Sequence, residues 1–227
     1  SEHVHTDECY EIVWLCGFEE HIHELSCYSD ATADVETAPI WEASLPAELS
    51  GVYAEDVLAI AKSQLGYAES ANNYTVVEGE TKGYTRYGAW YGAPHGDWCG
   101  MFASFCLNYA EVKGMPHNYG VRPWIEDLTK LGLYYTAKET KAQKGNLIFF
   151  DWDADGLSDH VGIVESVSGG VITVIEGNKN DSVERRKIAV DGTCIRGYGL
   201  PNFAWWAAQN TKKEEKPVDK NEPSSWA

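Results

Sequence analysis

The sequence is short of basic residues: 18 Lys and Arg stand against 35 Asp and Glu, a formal net charge of −17. A chain so poor in clustered cations is unsuited to the phosphate backbone, and no nucleic-acid partner is expected. Long apolar runs are also absent. Nothing approaches the roughly 18 uncharged residues of a membrane span, so no membrane insertion is expected. The sequence opens on Ser1-Glu2-His3-Val4-His5, neither an initiator Met nor a signal peptide, and reads as a piece of a longer modular protein. Six cysteines in 227 residues are too few for a dense disulfide framework.

Three of those cysteines fall in an internal repeat. Glu2-His3-Val4-His5 with Cys9-Tyr10 returns as Glu20-His21-Ile22-His23 with Cys27-Tyr28, at a constant offset of 18 residues. Within the second copy Cys16, His21, His23 and Cys27 form a Cys2His2 set. A structural Zn2+ there would explain how so core-poor a segment folds, and a Cys9–Cys27 disulfide is the competing reading. The chain therefore divides into a His/Cys-rich module at 1–30, a linker at 31–50 rich in small and acidic residues, a large domain at 51–207, and a charged, Pro-bearing disordered linker at 208–227.

Inside the large domain the period of the apolar residues changes. Helices are expected over 54–65, 99–112 and 124–131. After Gly145, strands are expected at 146–151, 160–167, 171–176, 188–190 and 195–198, with Ser168-Gly169-Gly170 as a hairpin turn. Helices first and strands afterwards make an α+β order: N-terminal helices packed on an antiparallel sheet.

Chemistry gathers at a few positions. Cys99 opens a helix, where free N–H groups and partial positive charge favour a thiolate and an oxyanion. His160 begins a strand. Glu176 ends the next strand, and pairing through the Gly169-Gly170 turn brings it near His160, where it would fix the imidazole tautomer. Asn178 follows two residues on. Each residue alone has a structural explanation, as a packed thiol, a satisfied core histidine or a turn. His95 and His117 are closer to Cys99 in sequence but lack the strand-and-carboxylate setting. Tyr84, Tyr87, Trp90 and Trp98 suit either a substrate groove or a Trp-rich core. Tyr84 and Tyr87 are also candidate side-chain oxyanion donors. Asp151, Asp153, Asp155, Gly156 and Asp159 match the first half of an EF-hand-like Ca2+ loop, but Gly162 stands where the final bidentate Glu belongs. A plain acidic loop is the preferred reading there.

The ordered strings Asp97-Trp98-Cys99-Gly100-Met101-Phe102-Ala103-Ser104-Phe105-Cys106, Gly145-Asn146-Leu147-Ile148-Phe149-Phe150, Asp159-His160-Val161-Gly162-Ile163-Val164 and Glu176-Gly177-Asn178 resemble the CHAP family of cysteine, histidine-dependent amidohydrolases and peptidases. The resemblance runs from about 52 to about 206. It implies a papain-like α+β fold, Cys99 as nucleophile, His160 as base, Glu176 as its orienting group, Asn178 in support, and the Cys99 N–H as oxyanion donor. It implies no cofactor for catalysis and, as substrate, bacterial peptidoglycan, cut either as an N-acetylmuramoyl-L-alanine amidase or as a peptide endopeptidase. A secreted or surface-attached protein of a Gram-positive bacterium, monomeric within its modular parent, follows from that substrate. The alternative from another class is a catalytically silent binding module of a surface protein.

Overall fold

The computed structural model describes residues 22–201. A six-stranded antiparallel sheet in the order β3-β8-β4-β5-β6-β7 forms one layer. Its strands are β3 (Tyr134–Thr136), β4 (Leu147–Phe150), β5 (His160–Ser168), β6 (Val171–Lys179), β7 (Ser182–Ala189) and β8 (Ile195–Gly199). Helices α2 (Tyr53–Ser63), α3 (Arg86–Tyr91), α4 (Cys99–Tyr109) and α5 (Val121–Lys130) precede them, with α4 packed on β5 and β6. A small hairpin of β1 (Tyr74–Val77) and β2 (Glu80–Gly83) stands apart. This is the α+β order expected from the sequence, helices first and an antiparallel sheet afterwards.

The layers follow from the side chains. In α4 every residue from Cys99 to Leu107 is buried, so this helix is apolar all round and sits between the sheet and the other helices. Strand β4 reads Leu-Ile-Phe-Phe without alternation because both its faces are covered. Leu147 and Phe149 join the core beneath the helices, while Ile148 and Phe150 join a second cluster with Val164, Val174 and Tyr198. Close backbone approach fixes how the helix meets the sheet: a Cβ at Gly177 would lie 2.5 Å from the Phe102 Cβ. No other residue lets β6 lie so near α4.

Two expectations are corrected. Residues 31–50 are not a linker. Helix α1 (Ala38–Glu42) buries Trp41, whose Nε1–H donates to the Tyr109 hydroxyl at 2.8 Å, and Arg86 pairs with Glu36 at 2.7 Å. The segment lacks a period because it is held by single side chains rather than by a continuous face. The strand expected at 188–190 overlaps the end of a longer edge strand, β7, whose residues 184–187 are a continuous polar run with no apolar signal. Among the described residues, no helix is long and apolar enough to cross a membrane.

Candidate active site

Helix α4 begins at Cys99 with no side-chain cap on Trp98, so the N–H groups of its first turn remain available. Cys99 opens onto a cleft of about 650 Å3, also lined by His95, Asp97, Met101, Tyr119, Arg122, Asp159, His160 and Asn178. His160, the first residue of β5, faces Cys99 from the opposite wall. Its ring is hydrogen-bonded to Glu176 and interacts electrostatically with Cys99. The Nε2–Glu176 Oε2 distance is 3.1 Å. An ionised carboxylate only accepts, so Nε2 carries a proton and donates it towards Glu176.

The sheet register explains why Glu176 arrives there. Ile163 pairs with Ile175. One step further along that ladder Gly162 meets Glu176, and a Cβ on Gly162 would stand 2.8 Å from the Glu176 Cγ. With no side chain in the way, the carboxylate reaches along the same face to His160, two residues from Gly162. Glu176 is fully buried and its second oxygen accepts from Arg186 Nε at 2.6 Å.

Electrostatics follow from this packing. Burial alone would lower the His160 pKa. The interactions with Cys99 and Glu176 outweigh it and hold the imidazole up at about 9. Burial pushes the Glu176 carboxyl up, but His160 and Arg186 more than offset it and keep it below the ordinary range. Cys106, one helical face away from the cleft, is fully buried, and that burial drives its thiol well above the usual value. A thiol beside an imidazole that a buried carboxylate orients is the arrangement nucleophilic catalysis requires.

Other expected site residues are placed differently. Tyr87 and Trp98 are wholly enclosed and stack on each other with centroids 5.2 Å apart. They are core, not groove. The Tyr87 hydroxyl contacts Gln64, so it is no oxyanion donor, and the Trp98 Nε1–H is donated to Glu69. Tyr84 is buried and bonded to Glu36. Trp90 is half-buried against Phe105 and His117, away from the cleft. The aromatic that does line the cleft is Tyr119, with Arg122 beside it. Neither belongs to a motif, since a loop and helix start beyond α4 carry them. Asn178 lies on the cleft wall and donates to Asp97 at 3.4 Å, not to His160. His95 also faces the cleft, its Nε2 3.0 Å from Asn73 Oδ1. His117 packs on Trp90 outside it.

For the expected metal sets, Cys16 and His21 lie outside the described residues, and His23 packs against Tyr28. Oxygens of Asp151, Asp153 and Asp159 lie within 4.8 Å of one another, without Asp155. Asp151 and Asp159 also accept backbone N–H groups of their own loop, from Gly156 and Trp152.

Residues 88–178 match the family model of the CHAP domain. Two solved structures of Ly7917 are also similar to the chain. One, of Ly7917 with the hydrolyzing product of MDP, is 17% identical, with 46% of this chain and 54% of that chain covered and a TM-score of 0.35. The other is 14% identical, with 66% and 62% covered and a TM-score of 0.42. The match thus spans between about half and three fifths of those chains. Among curated proteins there is no significant match. The matched segment contains Cys99, His160, Glu176 and Asn178, and over that segment the chain is similar to the CHAP domain family.

Proposed function

We propose that this domain is a cysteine hydrolase that cleaves amide bonds of bacterial peptidoglycan, at the N-acetylmuramoyl-L-alanine link or within the peptide. The observation that carries the reading is Cys99 at an uncapped helix start, sharing the wall of an open cleft with a buried His160 that Glu176 orients. The Cys99 thiolate attacks the amide carbonyl carbon while the Cys99 backbone N–H holds the developing oxyanion. As the C–N bond breaks, the His160 imidazolium gives its proton to the leaving amine, and a thioester remains. Water then attacks the thioester as His160 takes its proton. The C–S bond breaks, releasing a carboxylate and returning the sulfur to Cys99.

The cleft suits a peptide that carries charges of both signs. Arg122, Asp97 and Asp159 all line it, and Tyr119 offers an aromatic face. Such a substrate lies outside the cytoplasm, so the domain acts as a secreted or surface-attached enzyme without a catalytic cofactor. The test is release of new amino groups from purified peptidoglycan by the native protein, and its loss after iodoacetamide treatment. Cys99 should be alkylated far faster than the enclosed Cys106. Equal rates at the two thiols, with no amino groups released, would overturn the reading.

A further inference from the structure

We propose that Arg186 is a positioning residue of the catalytic site, holding the Glu176 carboxylate ionised and aimed at His160. The inference rests on the reading of Cys99 and His160 as the catalytic pair. It concerns a residue outside the matched segment, on the strand beyond the one that carries Glu176.

The geometry is a chain of charge across three strands. In the β6–β7 ladder Glu176 pairs with Glu184 and Val174 with Arg186, so Arg186 reaches Glu176 along the diagonal. Its Nε donates to Oε1 at 2.6 Å, while Oε2 serves His160 at 3.1 Å, and each carboxylate oxygen has one strong partner. Glu176 is fully buried, where an ionised carboxylate with one donor would be poorly held. The guanidinium is itself placed: its carbon lies 4.7 Å from the Trp152 ring centroid, and Trp152 stacks on Phe150, 4.7 Å away. A guanidinium fits this combination of ring stacking and carboxylate contact as an ammonium does not.

The charged and titratable groups facing Glu176 are few. From β5 comes His160, with Cys99 of α4 behind it, and from β7 come Arg186 and Glu184. Glu184 is occupied by Lys179 and Asn180. Arg186 is thus the cation that opposes the burial of Glu176 from the side away from the imidazole.

The test follows Cys99 alkylation by iodoacetamide against pH, read at that residue by mass spectrometry. No substrate enters it, so its outcome is separate from whether peptidoglycan is cleaved. Arg186→Gln should move the acid limb of the alkylation profile upward by about one pH unit, because the buried carboxyl now holds its proton longer. Arg186→Lys should lie between Gln and wild type. In a Glu176→Gln background the Arg186→Gln change should move nothing further. Folded variants whose acid limbs superimpose on the wild type would overturn the proposal, since a merely structural arginine changes stability and not the limb. Should Arg186→Gln fail to fold, Trp152→Ala decides. That residue is 44% exposed, its loss frees the guanidinium, and an upward limb supports the proposal while superposition overturns it.

Discussion

His160 and Glu176 meet through their side chains, Nε2 to Oε2 at 3.1 Å, because the residue between them on that face of the sheet is Gly162. The pair sets the protonation state of the site. Held up at about 9, His160 is an imidazolium at neutral pH, beside the sulfur it serves.

A pH profile follows directly. Deprotonation of the imidazolium removes the acid that the leaving amine needs, so kcat/KM should fall on the alkaline side with an apparent pKa of about 9. An alkaline limb near the ordinary histidine value would contradict this. The same shift bears on stability. The folded value lies above the ordinary 6.5, so the contribution is full below 6.5 and disappears as pH rises through about 9. For Glu176, whose folded value is lowered, the contribution is present above the ordinary 4.5 and lost as pH falls through the folded value. Urea denaturation at several pH values measures both.

Glu176→Gln keeps the shape of the side chain and removes its charge. His160 loses its tautomer control and Arg186 its counter-ion. The expected loss in kcat/KM is roughly 10²- to 10⁴-fold with the fold retained. Steady-state kinetics and circular dichroism check it together.

Gly162→Ala places a methyl 2.5 Å from Val174 Cγ1 and 2.8 Å from Glu176 Cγ. Overpacking of this kind should cost about 1–3 kcal/mol. Because one of the displaced groups is the carboxylate, activity per folded molecule should fall as well. Denaturation midpoints measured beside kcat/KM separate the two effects.

Trp41→Ala tests the attachment of residues 31–50. The ring is buried and bonded to Tyr109, so its loss should cost about 3 kcal/mol and lower Tm. A free linker would show no change. The thermal unfolding transition is the measurement.

Much of the site was legible because its parts stand at the starts and ends of elements. Cys99 opens α4 and His160 opens β5, as the change of period around each suggests. Glu176 lies inside β6, three residues before its end, and the Gly-Gly turn foretells its approach to His160. The hairpin β1–β2, helix α3 and strand β3 were not legible. They are short and half-exposed, and their residues carry no apolar period. The aromatics misled for a related reason: sequence gives ring type, and only packing distinguishes Trp98 in the core from Tyr119 in the cleft. Arg186 gave no signal at all. Its role comes from a diagonal across a ladder whose register is set ten residues away from Glu176 in sequence.

The most direct test of the account digests purified peptidoglycan with the native protein and with Cys99→Ser, and identifies the released fragments by mass spectrometry. The account predicts soluble fragments from the native protein alone, with new amino and carboxyl termini that mark the cleaved amide bond. No release by either protein from any peptidoglycan chemotype, or equal release by both, would contradict it. A folded protein that binds the wall without cutting it would be a binding module.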